Sequence, residues 1–274
     1  MTRKQSRALQ WFGSDASVSR DYAALLSNCK HVTVPFCGGL SIVAHLVETA
    51  SEIVCNDKHR LAINLYQCLS DASLRQRLLS WLDQTPFHQE VLRMAQAACK
   101  RVVAIEPPDV EFAHHYFITN WMGRGGKGGS TGEFSGDLPV RWTASGGSSP
   151  RRFNTAIRSI QDYWGPICER CSFICVDWLE ILNKVKDVDG NGIYIDPPWF
   201  GAGDEYVHKF QDPQEHTRLR NELLRFTKAT VVIRYGDDES VRRLYSGTGW
   251  TIDEISSRDQ ANGNVKELCI TRTI

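Results

Sequence analysis

Three absences narrow the class of this chain. It has no net charge: 32 Lys and Arg stand against 32 Asp and Glu in 274 residues. It has no apolar run near the ~18 residues that a membrane helix needs. The nearest, GLSIVAHLV, is broken by Ser41 and His45. It shows no secretory signal, because the basic start MTRKQSRALQ is followed by no apolar stretch. A soluble chain without a membrane partner is expected. Taken alone, the neutral balance argues mildly against nucleic acid, since proteins that bind it often carry a basic excess.

Several reactive motifs are also missing. Of nine cysteines, Cys168 and Cys171 are the one close pair, and no second pair or histidine follows at ligand spacing. No metal is expected. The scattered cysteines read as small core residues of a protein kept reduced. No proline precedes a cysteine, as the nucleophile of carbon-5 cytosine methylation usually requires. His88-Gln89-Glu90 matches half of a zinc-deaminase signature, but the P-C-x-x-C half is absent. There is no G-x-S-x-G and no P-loop. His114 and His115 lie in a helical, aromatic context that suits a core better than a metal.

What is present is an ordinary globular mix, 42% apolar and 23% charged. The length suits one large α/β domain with an insertion. Residues 30–57 read as strand, glycine turn, helix, strand: a βαβ unit. Leucines at spacings of three and four make 59–122 helical, cut by prolines at 86, 107 and 108. Residues 123–150 are rich in Gly and Ser and read as a long loop or irregular hairpin. A helix is expected from Arg151 to about Trp164. CSFICV, GIYID and ATVVIRY read as buried strands, and 249–256 with 265–273 as a closing antiparallel pair. The pattern predicts a doubly wound, mostly parallel α/β sheet built from residues 1–66 and 151–274. Residues 67–150 form the helical and loop insertion.

Ligands of such sheets sit at the carboxyl ends of the strands, and three features fall there. Gly38 and Gly39, in VPFCGGLS, permit a sharp turn and a close ligand approach ahead of a helix. Asp57 follows about 20 residues later. It suits ribose hydroxyls, or else it caps the helix starting near His59. The third, GIYIDPPWF, is the most specific. Asp196 closes a buried strand, and Pro197 and Pro198 stiffen the turn and remove its N–H donors. Trp199 adds a flat face. Fixed acceptors beside a stacking plane suit a flat ring bearing an amino group.

These residues together resemble the Dam-like class of N6-adenine DNA methyltransferases, over most of the chain. QWFGSD, VPFCGGLS, NDKHRLAINLYQCL, YFITNWMGRGGKGGSTGEF, VDWLEIL and DPPW stand in that family's motif order, with DEYVHKF and EHTRLRNELL beyond. The resemblance implies a seven-stranded, Rossmann-like methyltransferase sheet, with 67–150 as the target-recognition insertion. It implies S-adenosylmethionine as methyl donor, lined by Phe36, Cys37, Gly38 and Gly39. Trp11 would close over the donor, Asp57 would bind its ribose, and Asp177 would face its adenine with Trp178 beside. It implies double-stranded DNA as partner and a cytoplasmic bacterial, archaeal or phage setting. Three positions depart from the family pattern. Asp15 stands where Lys is usual, Leu40 replaces the last glycine of the donor loop, and GRGGKGG replaces Asn-Gly-x-x-Arg.

The expected chemistry is methyl transfer to the adenine amino group. Asp196 and the Pro197 carbonyl would accept its two hydrogens and localise the nitrogen lone pair. Tyr206 and Phe210 are candidates for the target pocket or for the core. Two alternatives remain open: methylation of adenine in RNA, or a non-catalytic DNA-binding module on the same fold. Local charge supports a nucleic-acid partner after all. Residues 116–160 hold Arg124, Lys127, Arg141, Arg151, Arg152 and Arg158 against Glu133 and Asp137. Arg124, Lys127, Arg141, Arg151 and Arg152 are the expected phosphate contacts.

Overall fold

The computed structural model describes residues 8–11, 18–101, 108–123, 131, 132, 134, 136–140, 142, 148–201, 206–210, 212–247, 249–258 and 264–272. The first half of the element order is α1 (Ser19–Ala24), β1 (His31–Val34), α2 (Val43–Leu46), β2 (Glu52–Asn56), α3 (Arg60–Ser70), α4 (Ala72–Asp83), α5 (Gln89–Lys100) and α6 (Val110–Met122). Then come α7 (Pro150–Ser159), a π-helical turn (Ile160–Trp164), α8 (Gly165–Cys168), β3 (Cys171–Ile174), α9 (Trp178–Lys184), β4 (Asn191–Ile195), α10 (Gln214–Leu223), β5 (Thr230–Gly236), α11 (Glu239–Tyr245), β6 (Trp250–Arg258) and β7 (Asn264–Arg272).

The strands form the mostly parallel, seven-stranded α/β sheet expected, in the order β3-β2-β1-β4-β5-β7-β6. The chain divides into two compact units. The sheet unit comprises residues 15–37, 42–58 and 176–274, and the helical unit 1–14, 38–41 and 59–175.

In the sheet unit, β1 pairs in parallel with β2 and β4, and β4 with β5. β7 runs antiparallel to β5 and β6. The central strands are apolar on both faces, as covered parallel strands must be. Val231, Val232 and Ile233 of β5 and Ile193 and Ile195 of β4 are all buried. Leu219 and Leu223 of α10, Phe226, Leu268 and Ile270 complete that core. Each such side chain contributes about 1.5–3 kcal/mol through burial. The turn into β5 is held by one carboxylate. Asp187 accepts from Thr227 N, Lys228 N, Ala229 N and Thr227 Oγ1 at 2.8–3.0 Å.

In the helical unit, short polar residues start the helices by accepting otherwise unpaired N–H groups. Asp71 caps α4 through Ser73 N and Leu74 N, Asp109 caps α6, and Ser149 caps α7 ahead of Pro150. The helix expected from Arg151 to Trp164 is regular only to Ser159, and then widens into the π turn. Helix α6 anchors the N-terminal segment. Gln10 N donates to Asn120 Oδ1 at 2.6 Å, and Trp121 Nε1 to the Ala8 carbonyl at 3.3 Å.

Candidate active site

Within the sheet unit, one amide side chain gathers the loops at the strand ends. Asn56, the last residue of β2, is almost fully buried. Its Nδ2 donates to the Pro35 and Val176 carbonyls at 3.0 and 3.1 Å, and its Oδ1 accepts from Val176 N at 3.0 Å. Cys37 N donates to the Asn56 carbonyl at 2.8 Å. Asn56 therefore ties the backbone next to Phe36, Cys37, Asp57 and Asp177. Sequence reasoning missed it, although a polar residue ending the apolar strand SEIVCN was the available signal.

The four gathered residues differ in what they do. Phe36 and Asp57 are half-buried and Cys37 is buried. The N-cap of α3 is His59, whose Nδ1 accepts from Ala62 N at 3.4 Å. Asp177 caps α9 through Leu179 N at 3.0 Å, and its other oxygen faces Lys58 Nζ at 3.3 Å. That ion pair is exposed, so it contributes about 1 kcal/mol at most. Trp178 is buried, with its ring 6.3 Å from that of Phe210 and the Arg218 guanidinium over it.

Asp196 lies at the carboxyl end of β4 in a buried ionic network. Its Oδ2 accepts from Arg234 Nη1 at 2.8 Å, and its Oδ1 from Trp199 Nε1 at 3.2 Å. Arg234 sits in β5 with only 3% of its side chain exposed. Its Nε and Nη2 donate to the two Glu267 oxygens at 2.7 and 2.9 Å. The register explains this. Glu267 of β7 stands opposite Gly236, two residues along β5 from Arg234 and so on the same face. Burial disfavours the guanidinium charge, but Asp196 and Glu267 outweigh it and hold Arg234 firmly protonated. The Arg234 guanidinium also lies 4.7 Å from the Trp199 ring centroid. A Cβ at Gly236 would come within 2.8 Å of that ring, so the glycine is required by close approach. Pro197 is buried and Pro198 half-buried beside them. Neither Arg234 nor Glu267 was anticipated, although a lone arginine in the apolar run ATVVIRY was a visible anomaly.

Aromatic rings back the loop after Trp199. Phe200 stacks on His216 at 3.7 Å, and Phe210 meets His216 edge-on at 4.8 Å. His216 Nδ1 is 2.9 Å from the Tyr235 hydroxyl. Burial pushes the His216 pKa down to about 4, so the ring is neutral at pH 7. Phe210 also packs edge-on against Phe36 at 6.1 Å. Phe210 thus belongs to this cluster, while Tyr206 is half-buried.

In the helical unit, Gly38 has φ +44°, and a Cβ there would meet Trp11 Nε1 at 3.0 Å. A Cβ at Gly39 would meet Trp11 Cβ at 2.9 Å. Trp11 thus lies directly on the glycine turn. Ala8 N donates to the Gly39 carbonyl at 3.0 Å, and Tyr66 Oη to the Gly38 carbonyl at 2.5 Å. Leu40 is buried with φ +63°. Its departure from glycine therefore falls on a left-handed backbone position. Of the basic residues, Arg151 is exposed and Arg152 half-buried in the first turn of α7. Arg124, Lys127 and Arg141 lie outside the described residues, as does Asp15. Among the described residues no cluster could hold a metal ion, and no helix is long and apolar enough to cross a membrane.

No family model and no curated protein matches the chain. Solved structures superpose on most of it. A Pyrococcus horikoshii protein described as a candidate RNA methyltransferase is 9% identical, with TM-score 0.42 over 97% of this chain and 89% of that one. A Streptococcus thermophilus rRNA methylase is 9% identical, with TM-score 0.39 over 94% and 95%. A Bacillus cereus O-methyltransferase in complex with SAH is 8% identical, with TM-score 0.37 over 93% and 80%. At those levels the likeness carries no argument about chemistry. That rests on the chain's own residues.

Proposed function

We propose that this chain is an S-adenosylmethionine-dependent methyltransferase acting on the N6 amino group of adenine in double-stranded DNA. The observation that carries the reading is Asp196. It is a carboxylate at a strand's carboxyl end, gripped by a buried arginine and an indole N–H, and followed by two prolines. A flat amino-bearing ring is what such an acceptor suits.

The residues present fit the donor. The Gly38–Gly39 turn carries a left-handed backbone and no Cβ. Phe36, Cys37, Asp57 and Asp177 flank the backbone that the Asn56 side chain ties together. On this reading Phe36, Cys37, Gly38 and Gly39 line the donor, Trp11 covers it, Asp57 holds its ribose, and Asp177 and Trp178 meet its adenine. The donor supplies an electrophilic methyl group on a sulfonium.

The chain's own contribution is positioning. Asp196 and the Pro197 carbonyl accept the two amino hydrogens, which localises the nitrogen lone pair. Fixed acceptors need no reorganisation as positive charge develops there. Orientation supplies much of the rate. The target base must leave the duplex, at a cost of a few kcal/mol. Stacking on Trp199 offsets about 1–3 kcal/mol of that. Arg124, Lys127, Arg141, Arg151 and Arg152 of the insertion and the start of α7 would meet phosphates.

Radiolabelled S-adenosylmethionine offered with unmodified DNA or with total RNA, followed by nucleoside analysis, tests this. Labelled N6-methyladenine from DNA is expected. Label confined to RNA supports the RNA reading instead, and a wild-type protein that binds no donor supports a non-catalytic module. Asp196→Ala should abolish transfer while the protein stays folded and binds donor. Full activity in that variant overturns the assignment.

A further inference from the structure

Arg234 is a cation in the middle of an apolar sheet, and burying it requires two carboxylates. A core alone does not call for this arrangement, since apolar residues replace buried ion networks with little loss of stability. Its place suggests another use. Glu267 takes Nε and Nη2 and fixes the plane of the guanidinium. The remaining Nη1 is thereby aimed at Asp196 Oδ2, and the flat face at Trp199. Trp199 in turn donates to Asp196 Oδ1. One rigid cation thus orients both the acid and the indole.

We propose that Arg234 and Glu267 are positioning residues that hold Asp196 as an oriented, anionic acceptor and set Trp199 beside it. This rests on reading Asp196 as the group that meets the substrate amino nitrogen. Neither positioning residue touches substrate. Glu267 acts through Arg234, and Arg234 acts through Asp196 and Trp199. Among the described residues, titratable groups beside this cluster include Tyr22 of α1, Tyr194 of β4, Tyr235 of β5 and Cys269 of β7, which stands opposite Arg234. Burial pushes the Tyr22 and Tyr235 hydroxyls upward, so they stay neutral, while the buried Arg234 guanidinium is a cation held against the acid.

The test uses the double variant Arg234→Met/Glu267→Leu, which removes the fully buried pair together and leaves only the partly exposed Asp196 without its counter-ion. Arg234→Lys serves as the conservative control, keeping a charge but losing the fork. Thermal melting and donor binding establish that each variant is folded. The double variant should then lose about 100-fold in kcat, the scale of a misplaced reacting group, with KM for nucleic acid nearly unchanged. Arg234→Lys should fall between it and the wild type. A folded double variant with kcat within a few-fold of wild type overturns the proposal and leaves the pair as a staple between β5 and β7. A second readout does not need activity. Carbon-13 NMR of the Asp196 carboxyl should show its titration midpoint rising by about one pH unit or more once the facing cation is gone. An unmoved midpoint overturns the proposal. If the wild type transfers no methyl group but the midpoint moves, the methyltransferase reading fails while the orientation of Asp196 by Arg234 stands.

Discussion

Leu40 combines full burial with φ +63°, a region that costs a residue bearing Cβ about 1–2 kcal/mol. Two opposed terms therefore act on one side chain: apolar burial favours it, and its backbone disfavours it. The usual ranking of alanine above glycine should invert here. Leu40→Ala loses the buried side chain and keeps the strain, whereas Leu40→Gly loses the side chain and relieves the strain. Urea unfolding should find Leu40→Gly more stable than Leu40→Ala by about 1 kcal/mol. The reverse order would show that the turn relaxes around alanine. Asp196 makes a parallel point. The sequence marks it as an acceptor at a strand end, but its partner Arg234 lies 38 positions along the chain, and Glu267, which holds Arg234, lies 71 along. No local pattern connects the three.

Elements were legible where a simple period or a cap writes them. The apolar runs GIYI and TVVI became β4 and β5, and the leucine spacing after His59 became α3 and α4. The π turn at Ile160–Trp164 was not legible, because no glycine or proline interrupts IQDYW. Helix α10 carries a pH dependence of its own. His216 titrates near 4 in the folded state against about 6.5 when unfolded. Between those values the unfolded chain binds more protons, so stability falls as pH is lowered through that window and is fully present above it. The loss amounts to about 3 kcal/mol for this buried ring. His114, held down to about 4 by burial and by His115, acts in the same direction. Denaturant unfolding at pH 7.5 and pH 5 should show the drop. His216→Phe, which keeps the stack on Phe200, should reduce it to roughly the share that His114 contributes. An equal slope in that variant would place the effect elsewhere.

For the whole molecule, neutrality is a sum of opposed regions. Residues 116–160 carry six bases against two acids, while 177–196 carry five acids against two bases. Binding through one basic region predicts a salt-sensitive and modest grip. Log affinity for DNA should fall linearly with log salt, and Arg151→Ala or Arg152→Ala should each reduce the slope by about 1. Slopes unchanged in both variants would remove α7 from the phosphate contacts. Substitution of Arg234 or Glu267 should leave that slope untouched, because both are buried away from any phosphate.

From the sequence alone follow the α/β class, the alternation of strands and helices, and the strand ends where chemistry collects. Apolar periodicity, glycine and proline act within a few residues, so those features are written locally. Only the tertiary structure decided which side chains meet at those ends. Asn56 draws three loops together, Trp11 lies on the glycine turn, and Arg234 with Glu267 grips Asp196. Such meetings depend on strand order and register, which place residues far apart in the chain within hydrogen-bonding distance.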